Sequence, residues 1–374
     1  MTVGFIGTET GARYDPSELS WKGAGGELLD VAPFTVRFPM ERVRARPPTL
    51  WRYLEALPFA RESTAWTRVT MGEGFTPLVA VDPDAGEDGP RILAKVEYQM
   101  PTLSFKDRGA AVLIAKALEL GVTHVVQDSS GNAGVSIAAY AARARMRCDI
   151  YVPTGTSVAK TRAIAGHGAT VTVVPGTRED CAAAAADAAD APGVFYASHV
   201  HNPFFHEGTK TYAYEIWEQL GEVPDTLVLP VGNGTLVLGA VRGFADLRDA
   251  GLSDRLPRVV AVQAAACAPL ARAFVAGRAA AEPVVNAGTA AEGIAIAAPA
   301  RHRQILAAVR ATGGAIVSVS EESIGMARLH LATRGWHVEP TTAVNLAVFS
   351  EHPDLFVRGE CVVVPLCGSG AKAA

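Results

Sequence analysis

The residues of this chain best suited to chemistry lie in four short polar turns. The first, PTLSFKDRGA (101–110), sets Lys106 between Phe105 and Asp107. Ser104 and Asp107 have capping-box spacing, and AAVLIAKALELG then reads as a helix closed by Gly121. Lys106 is thereby predicted in the first helical turn, where the macrodipole disfavours an ammonium and lowers the amine's proton affinity. A neutral lysine amine can attack a carbonyl and form a Schiff base. A solvated surface lysine is the plainer alternative.

The second turn, DSSGNAG, follows the apolar run THVVQD and opens a strongly helical stretch. The hydroxyls and backbone N–H groups of Ser129, Ser130, Gly131 and Asn132 suit a carboxylate, and the Asn132 amide suits a ring hydroxyl. The same residues also make an ordinary helix cap. The third turn, PVGNGTLVLG, places Gly232, Asn233, Gly234 and Thr235 between an apolar strand and an apolar helix. That is the pattern of a phosphate cradle, although a tight strand-to-helix turn has the same composition. It is neither a Walker loop nor a dinucleotide fingerprint, because no Gly-Lys-Ser/Thr follows and Val237 stands three residues after Gly234. The fourth turn, PLCGSGAK, contains Cys367. Together these turns mark a polar-ligand site more strongly than any one of them alone.

The elements that must hold these turns are legible as an alternation. THVVQD, CDIYVP, ATVTVVP, VFYASHV, TLVLPVG, RVVAVQ, AIVSVS and CVVVPLCG are short β-branched runs separated by alanine-rich helical stretches. Such alternation predicts an α/β protein with largely parallel sheets, in which ligands collect beyond the carboxyl ends of strands. CAAAAADAADAPG reads as a helix lying close on a sheet and stopped by Pro192 and Gly193.

Composition narrows the partners. The 374 residues are 49% apolar and 19% charged, with a net charge of -4, which is a folded chain without the basic footprint of a nucleic-acid binder. No apolar run reaches the roughly 18 residues of a membrane span, and the first residues lack the pattern of a signal peptide. The five scattered cysteines suit reduced thiols in a cytoplasm. HVHNPFFH contains His199, His201 and His206, but no carboxylate spacing supports a metal site, and none is expected.

Taken in order, these segments resemble the fold-type-II pyridoxal-phosphate enzymes, and within them the threonine synthase family. WRYLEALPF with MGEGFTPLV resembles that family's lead-in, PTLSFKDRGA its Schiff-base lysine motif, SSGNAG its asparagine loop and GNGT its cofactor-phosphate loop. NPFFHEGTKTYAYEIWEQLG, AEGIAI, VEPTTAVNLA and VPLCGSGAK follow in the family's order. The resemblance implies two open, twisted, mostly parallel sheets flanked by helices, with the active site between two domains. It implies that Lys106 holds pyridoxal phosphate and shuttles protons, and that Asn132 bonds the ring hydroxyl. Residues 129–133 would wrap the substrate carboxylate, residues 232–235 would cradle the cofactor phosphate, and Cys367 would face the pyridine nitrogen. A homodimer acting on a small amino acid is expected. The expected division is an N-terminal extension over 1–65, a larger domain over 66–105 and 206–374, and a smaller mobile one over 106–205.

The departures are specific. Met100 and Leu103 stand where the family commonly has Asn and Gly, Asn233 where it often has His, and Cys367 and Ala371 where Thr and Leu are usual. The first 31 residues resemble a small ribbon whose metal-binding cysteines are gone. Leu103 adds bulk near the lysine. Lys160, Arg162 and Asn202 are candidates to hold a substrate phosphate. The expected reaction is O-phosphohomoserine plus water to threonine plus phosphate. The alternative is β-replacement or β-elimination on another amino acid by a diverged relative.

Overall fold

The computed structural model describes residues 3–83 and 89–372. Its strands in chain order are β1 (Phe5–Gly7), β2 (Arg13–Tyr14), β3 (Leu29–Val31), β4 (Leu78–Ala80), β5 (Arg91–Lys95), β6 (His124–Gln127), β7 (Arg147–Pro153), β8 (Thr170–Val174), β9 (Val194–Tyr196), β10 (Thr226–Pro230), β11 (Arg258–Ala264), β12 (Ala315–Val319) and β13 (Cys361–Pro365). The helices are α1 (Met40–Ala45), α2 (Lys106–Glu119), α3 (Asn132–Ala144), α4 (Val158–Ala165), α5 (Arg178–Ala189), α6 (Pro203–Thr209), α7 (Thr211–Leu220), α8 (Thr235–Asp249), α9 (Pro269–Val275), α10 (His302–Ala311), α11 (Glu321–Thr333) and α12 (Pro340–Glu351).

The chain divides into two compact units. One comprises Met1–Gly74 and Lys106–Thr209, the other Phe75–Phe105 and Lys210–Ala374. In the first, a parallel sheet runs in the order β8-β7-β6-β9, and a small antiparallel ribbon runs β2-β1-β3. Its core joins the apolar face of α2, from Ala110 to Ala117, with Ile137 and Tyr140 of α3, Ile150 of β7 and Phe204 of α6. In the second, six strands run β12-β11-β10-β13-β5-β4, parallel throughout except for the antiparallel edge strand β4. Both β10 and β13 are buried along their whole length, as expected for strands covered on both faces. The α/β architecture with mostly parallel sheets agrees with the alternation in the sequence.

The ribbon is organised around a carboxylate. Glu27 accepts hydrogen bonds from Glu9 N and Thr10 N, both at 3.1 Å, from the Thr10 hydroxyl at 2.7 Å and from the Tyr14 hydroxyl at 3.1 Å. The Thr10 hydroxyl, with the backbone N–H groups and Tyr14 adding to it, holds the Glu27 carboxyl down to about 2. Four donors thus converge on one anion and favour its charged form.

Candidate active site

Within the first unit, Lys106 is the first residue of α2 and half-buried. One expectation fails here. Ser104 does not cap this helix: the helix begins two residues later, and the buried Ser104 hydroxyl has no hydrogen-bond partner among the described residues. Asp107 sits inside the first turn instead, and its carboxylate accepts a bond from Ser136 Oγ of α3. The remainder of the KDRG stretch is structural. A Cβ on Gly208 of α6 would lie 2.0 Å from the Arg108 carbonyl oxygen, so glycine there lets α6 cross directly against α2.

The second turn leaves β6 and opens α3, whose first residue is Asn132. Gly131 occupies the cap position without a side-chain cap, and its N–H reaches Ser129 Oγ at 3.3 Å. Ser129 and Ala133 are buried, whereas Ser130 and Asn132 are half-buried and Gly131 is exposed. Lys106 and Asn132 therefore begin two helices that pack against one another through Asp107 and Ser136. Each helix points its N-terminal N–H groups away from its own body, which favours anions at that end.

In the second unit, residues 232–235 join β10 to α8, a helix of 15 residues that starts at Thr235. Gly234 has φ +78°, and a Cβ there would lie 2.4 Å from Ile305 Cδ1. A Cβ on Gly232 would lie 2.9 Å from the Ile294 Cα. Both positions thus exclude a side chain, leaving bare backbone at a helix N-terminus, where a phosphate group is stabilised. That arrangement fits a cofactor phosphate.

Cys367 follows β13 and is 1% exposed. The turn segment 102–105 is fastened to its loop. Phe105 N donates to Cys367 O at 3.0 Å, Ser369 N to Leu103 O at 3.1 Å and Lys372 Nζ to Thr102 O at 2.6 Å. Leu103 lies in this strap with φ +61°, a left-handed conformation that disfavours a leucine, and its side chain is 41% exposed. The strap leads in sequence directly into Lys106.

The candidates for a substrate phosphate fare differently. The Asn202 amide is occupied structurally, donating to Tyr196 O at 3.0 Å and accepting from Phe204 N at 3.2 Å. Arg162 is exposed on α4, and Lys160 is half-buried two residues earlier. The lead-in motifs also find a structural role. Trp51 Nε1 donates to the buried Glu73 at 2.5 Å, and Leu50 N to Glu73 O at 2.9 Å.

One residue was not singled out for chemistry by the sequence. His199, in the loop after β9, is 6% exposed, and its Nδ1 has no hydrogen-bond partner among the described residues. Burial, with the Lys106 ammonium and the Arg178 guanidinium adding to it, holds its imidazole well below the ordinary histidine range. The other two histidines of HVHNPFFH lie elsewhere: His201 stacks on Tyr196 and meets the edge of Trp21, and His206 is buried in α6. Among the described residues no cluster of His, Cys, Asp and Glu is arranged to hold a metal ion.

Known proteins place this geometry. The family described as pyridoxal-phosphate dependent enzyme matches residues 69–368. A threonine synthase of Methanosarcina acetivorans is 34% identical over 358 residues, spanning 94% of this chain and 87% of the relative. A threonine synthase of Mycobacterium tuberculosis is 37% identical over 332 residues, spanning 87% and 89% of the two chains. The crystal structure of a T.th. threonine deaminase superposes with a TM-score of 0.69 at 27% identity, covering 82% of this chain and 96% of the other. Maize serine racemase shares the fold, with a TM-score of 0.70 at 19% identity, covering 82% and 91%.

Proposed function

This chain belongs to the family of pyridoxal-phosphate dependent enzymes, and on that premise we propose that it is a threonine synthase-like lyase converting O-phosphohomoserine and water to threonine and phosphate. The observation that carries this reading is the similarity to threonine synthases across 94% of the chain.

Lys106 would carry the cofactor on its amine. Asn132 would bond the ring hydroxyl, the bare backbone of residues 232–235 would take the phosphate, and Cys367 would present a thiol, rather than a carboxylate, to the ring nitrogen. Pyridoxal phosphate supplies the electron sink that acidifies the α-hydrogen of an amino acid joined to it. Ser129, Ser130, Gly131 and Ala133 would hold the substrate carboxylate through hydroxyls and N–H groups at the start of α3. The Lys106 amine would take the α-proton and relay it onward, then take a β-proton as phosphate departs from the γ-carbon, and a proton returned to that carbon would complete its methyl group and leave an α,β double bond.

Purified protein is expected to show the visible absorption of lysine-bound pyridoxal phosphate, and Lys106→Ala to lose it. A variant that keeps the band would overturn the assignment of Lys106. Threonine and phosphate in equal amounts from O-phosphohomoserine test the reaction, and no turnover of that substrate would sink it. A second reading, β-replacement or β-elimination on another amino acid, is favoured by Leu103 in its left-handed conformation and by the occupied amide of Asn202. We infer further that the chain works in the cytoplasm as a homodimer. All five cysteines are free thiols, which suits a reducing compartment, and two-fold dimers are the commonest enzyme assembly. No helix among the described residues is long and apolar enough to cross a membrane.

A further inference from the structure

We propose that His199 is the base that activates the water added to the substrate β-carbon. This inference rests on the threonine synthase-like reading above, which requires a water molecule to be captured after phosphate leaves.

The placement is the first argument. Strands β6 and β9 are adjacent and parallel, with Val126 opposite Tyr196. The loops beyond their carboxyl ends are therefore neighbours on the edge of the sheet where ligands gather. One carries residues 128–131, and the other carries His199. The second argument is the state of the ring. Phe205 of α6 lies against it edge-on, with ring centroids 6.0 Å apart, so one side is apolar. The charged and titratable groups acting on it are Lys106 from α2, Arg178 from α5 and His201 from its own loop. Burial first, and these charges after it, disfavour a positive charge on the ring, so it is neutral at physiological pH, and the tautomer with its proton on Nε2 is the one that would offer a lone pair at Nδ1. A buried polar atom left without a partner in the resting protein costs stability, and capture of a water in the working enzyme would satisfy it.

The step balances with groups already present. One O–H bond of the water breaks and its proton goes to His199 Nδ1, while the oxygen bonds to the β-carbon. The electron pair of the α,β double bond in the dephosphorylated substrate moves to the α-carbon, which takes a proton from the Lys106 ammonium. The His199 imidazolium then returns its proton to the Lys106 amine. The return is downhill, because a protonated His199 is held loosely and the lysine amine is the stronger base.

The experiment separates water capture from phosphate release. In the holoenzyme, O-phosphohomoserine gives threonine and phosphate in equal amounts. In His199→Gln and His199→Asn the ratio of threonine to phosphate is expected to fall at least about 10-fold, with a 2-oxo acid and ammonia taking threonine's place, since a general base contributes roughly 10²–10⁴-fold to its step. A ratio that stays near one in both variants overturns the proposal while leaving the reaction standing. Wild-type protein that releases no phosphate overturns both. Nitrogen-15 histidine spectra of the resting protein give a readout independent of turnover, and of whether the variants fold. His199 is expected as the neutral ring with Nδ1 unprotonated at pH 7, and an imidazolium or an Nδ1–H form overturns the proposal.

Discussion

Leu103 occupies a backbone conformation made for glycine, at φ +61°. A left-handed conformation costs an ordinary side chain about 1–2 kcal/mol, and this leucine recovers little by burial because 41% of it is exposed. Asparagine tolerates that conformation without the extra unfolded-state entropy of glycine. Leu103→Asn is therefore expected to raise unfolding free energy by about 0.5–1 kcal/mol in denaturant titrations, and a loss of stability would show that the leucine packs more than its exposure indicates. The unusual residue was visible in the sequence, but its strain was not, because φ depends on how the strap 102–105 is fastened to the Cys367 loop. Ser104 shows the converse. Its spacing to Asp107 fits a cap, yet Asp107 is drawn to Ser136, a partner 29 residues away that no local pattern announces. His199 was legible only as a histidine. Its burial and its neighbours Lys106 and Arg178 depend on the pairing of β6 with β9.

At the scale of elements, all eight β-branched runs became strands, because short β-branched runs bounded by turn residues leave few alternatives inside an α/β layer. The ribbon was expected from resemblance alone, since two or three residues carry no usable period, and β4 and β5 were not among the runs read as strands. The ribbon's dependence on Glu27 gives it an acid limit. The carboxyl is depressed from 4.5 to about 2, so its contribution is complete above pH 4.5 and is lost as pH falls through about 2. Hydrogen exchange over residues 5–31 is expected to accelerate in Glu27→Gln at neutral pH, with β10 and β13 unchanged; undiminished protection of the ribbon would show that its strand pairing suffices alone. The crossing of α2 and α6 is less forgiving. Gly208→Ala would place a methyl against the Arg108 carbonyl and is expected to cost about 2–3 kcal/mol in thermal or chemical unfolding.

For the whole molecule, the alternation predicted the fold class, but nothing in it gave the order β12-β11-β10-β13-β5-β4, since strand neighbours are chosen by long-range packing. One buried charge pair stands inside that unit. Lys95 Nζ lies 2.8 Å from Glu215, both side chains fully buried, and it also donates to Thr76 O and to Gln219. Lys95→Met would take the ammonium away from the buried Glu215 and is expected to destabilise the protein by about 3–5 kcal/mol, whereas changing both residues to apolar ones of similar volume should cost far less. Removing the cofactor should lower the melting temperature in turn. A ligand at 100 times its Kd stabilises by about 2.7 kcal/mol, so calorimetry of holo and apo protein is expected to differ by a few degrees, and by less in Lys106→Ala.

The order of that six-stranded sheet also sets a timetable. Its middle place belongs to β13, between β10 and β5, yet β13 is the last of these strands to be made. Arg91 and Cys361, paired across the β5–β13 ladder, are 270 residues apart in the chain. At a synthesis rate of about 5–20 residues per second, β5 waits roughly 15–50 s on the ribosome with one edge unpaired. The layer that carries residues 232–235 can thus close only from its centre, when the final strand slides in. A nascent chain arrested before β13 is expected to bind holdase chaperones, and to stop doing so within seconds of that strand's emergence.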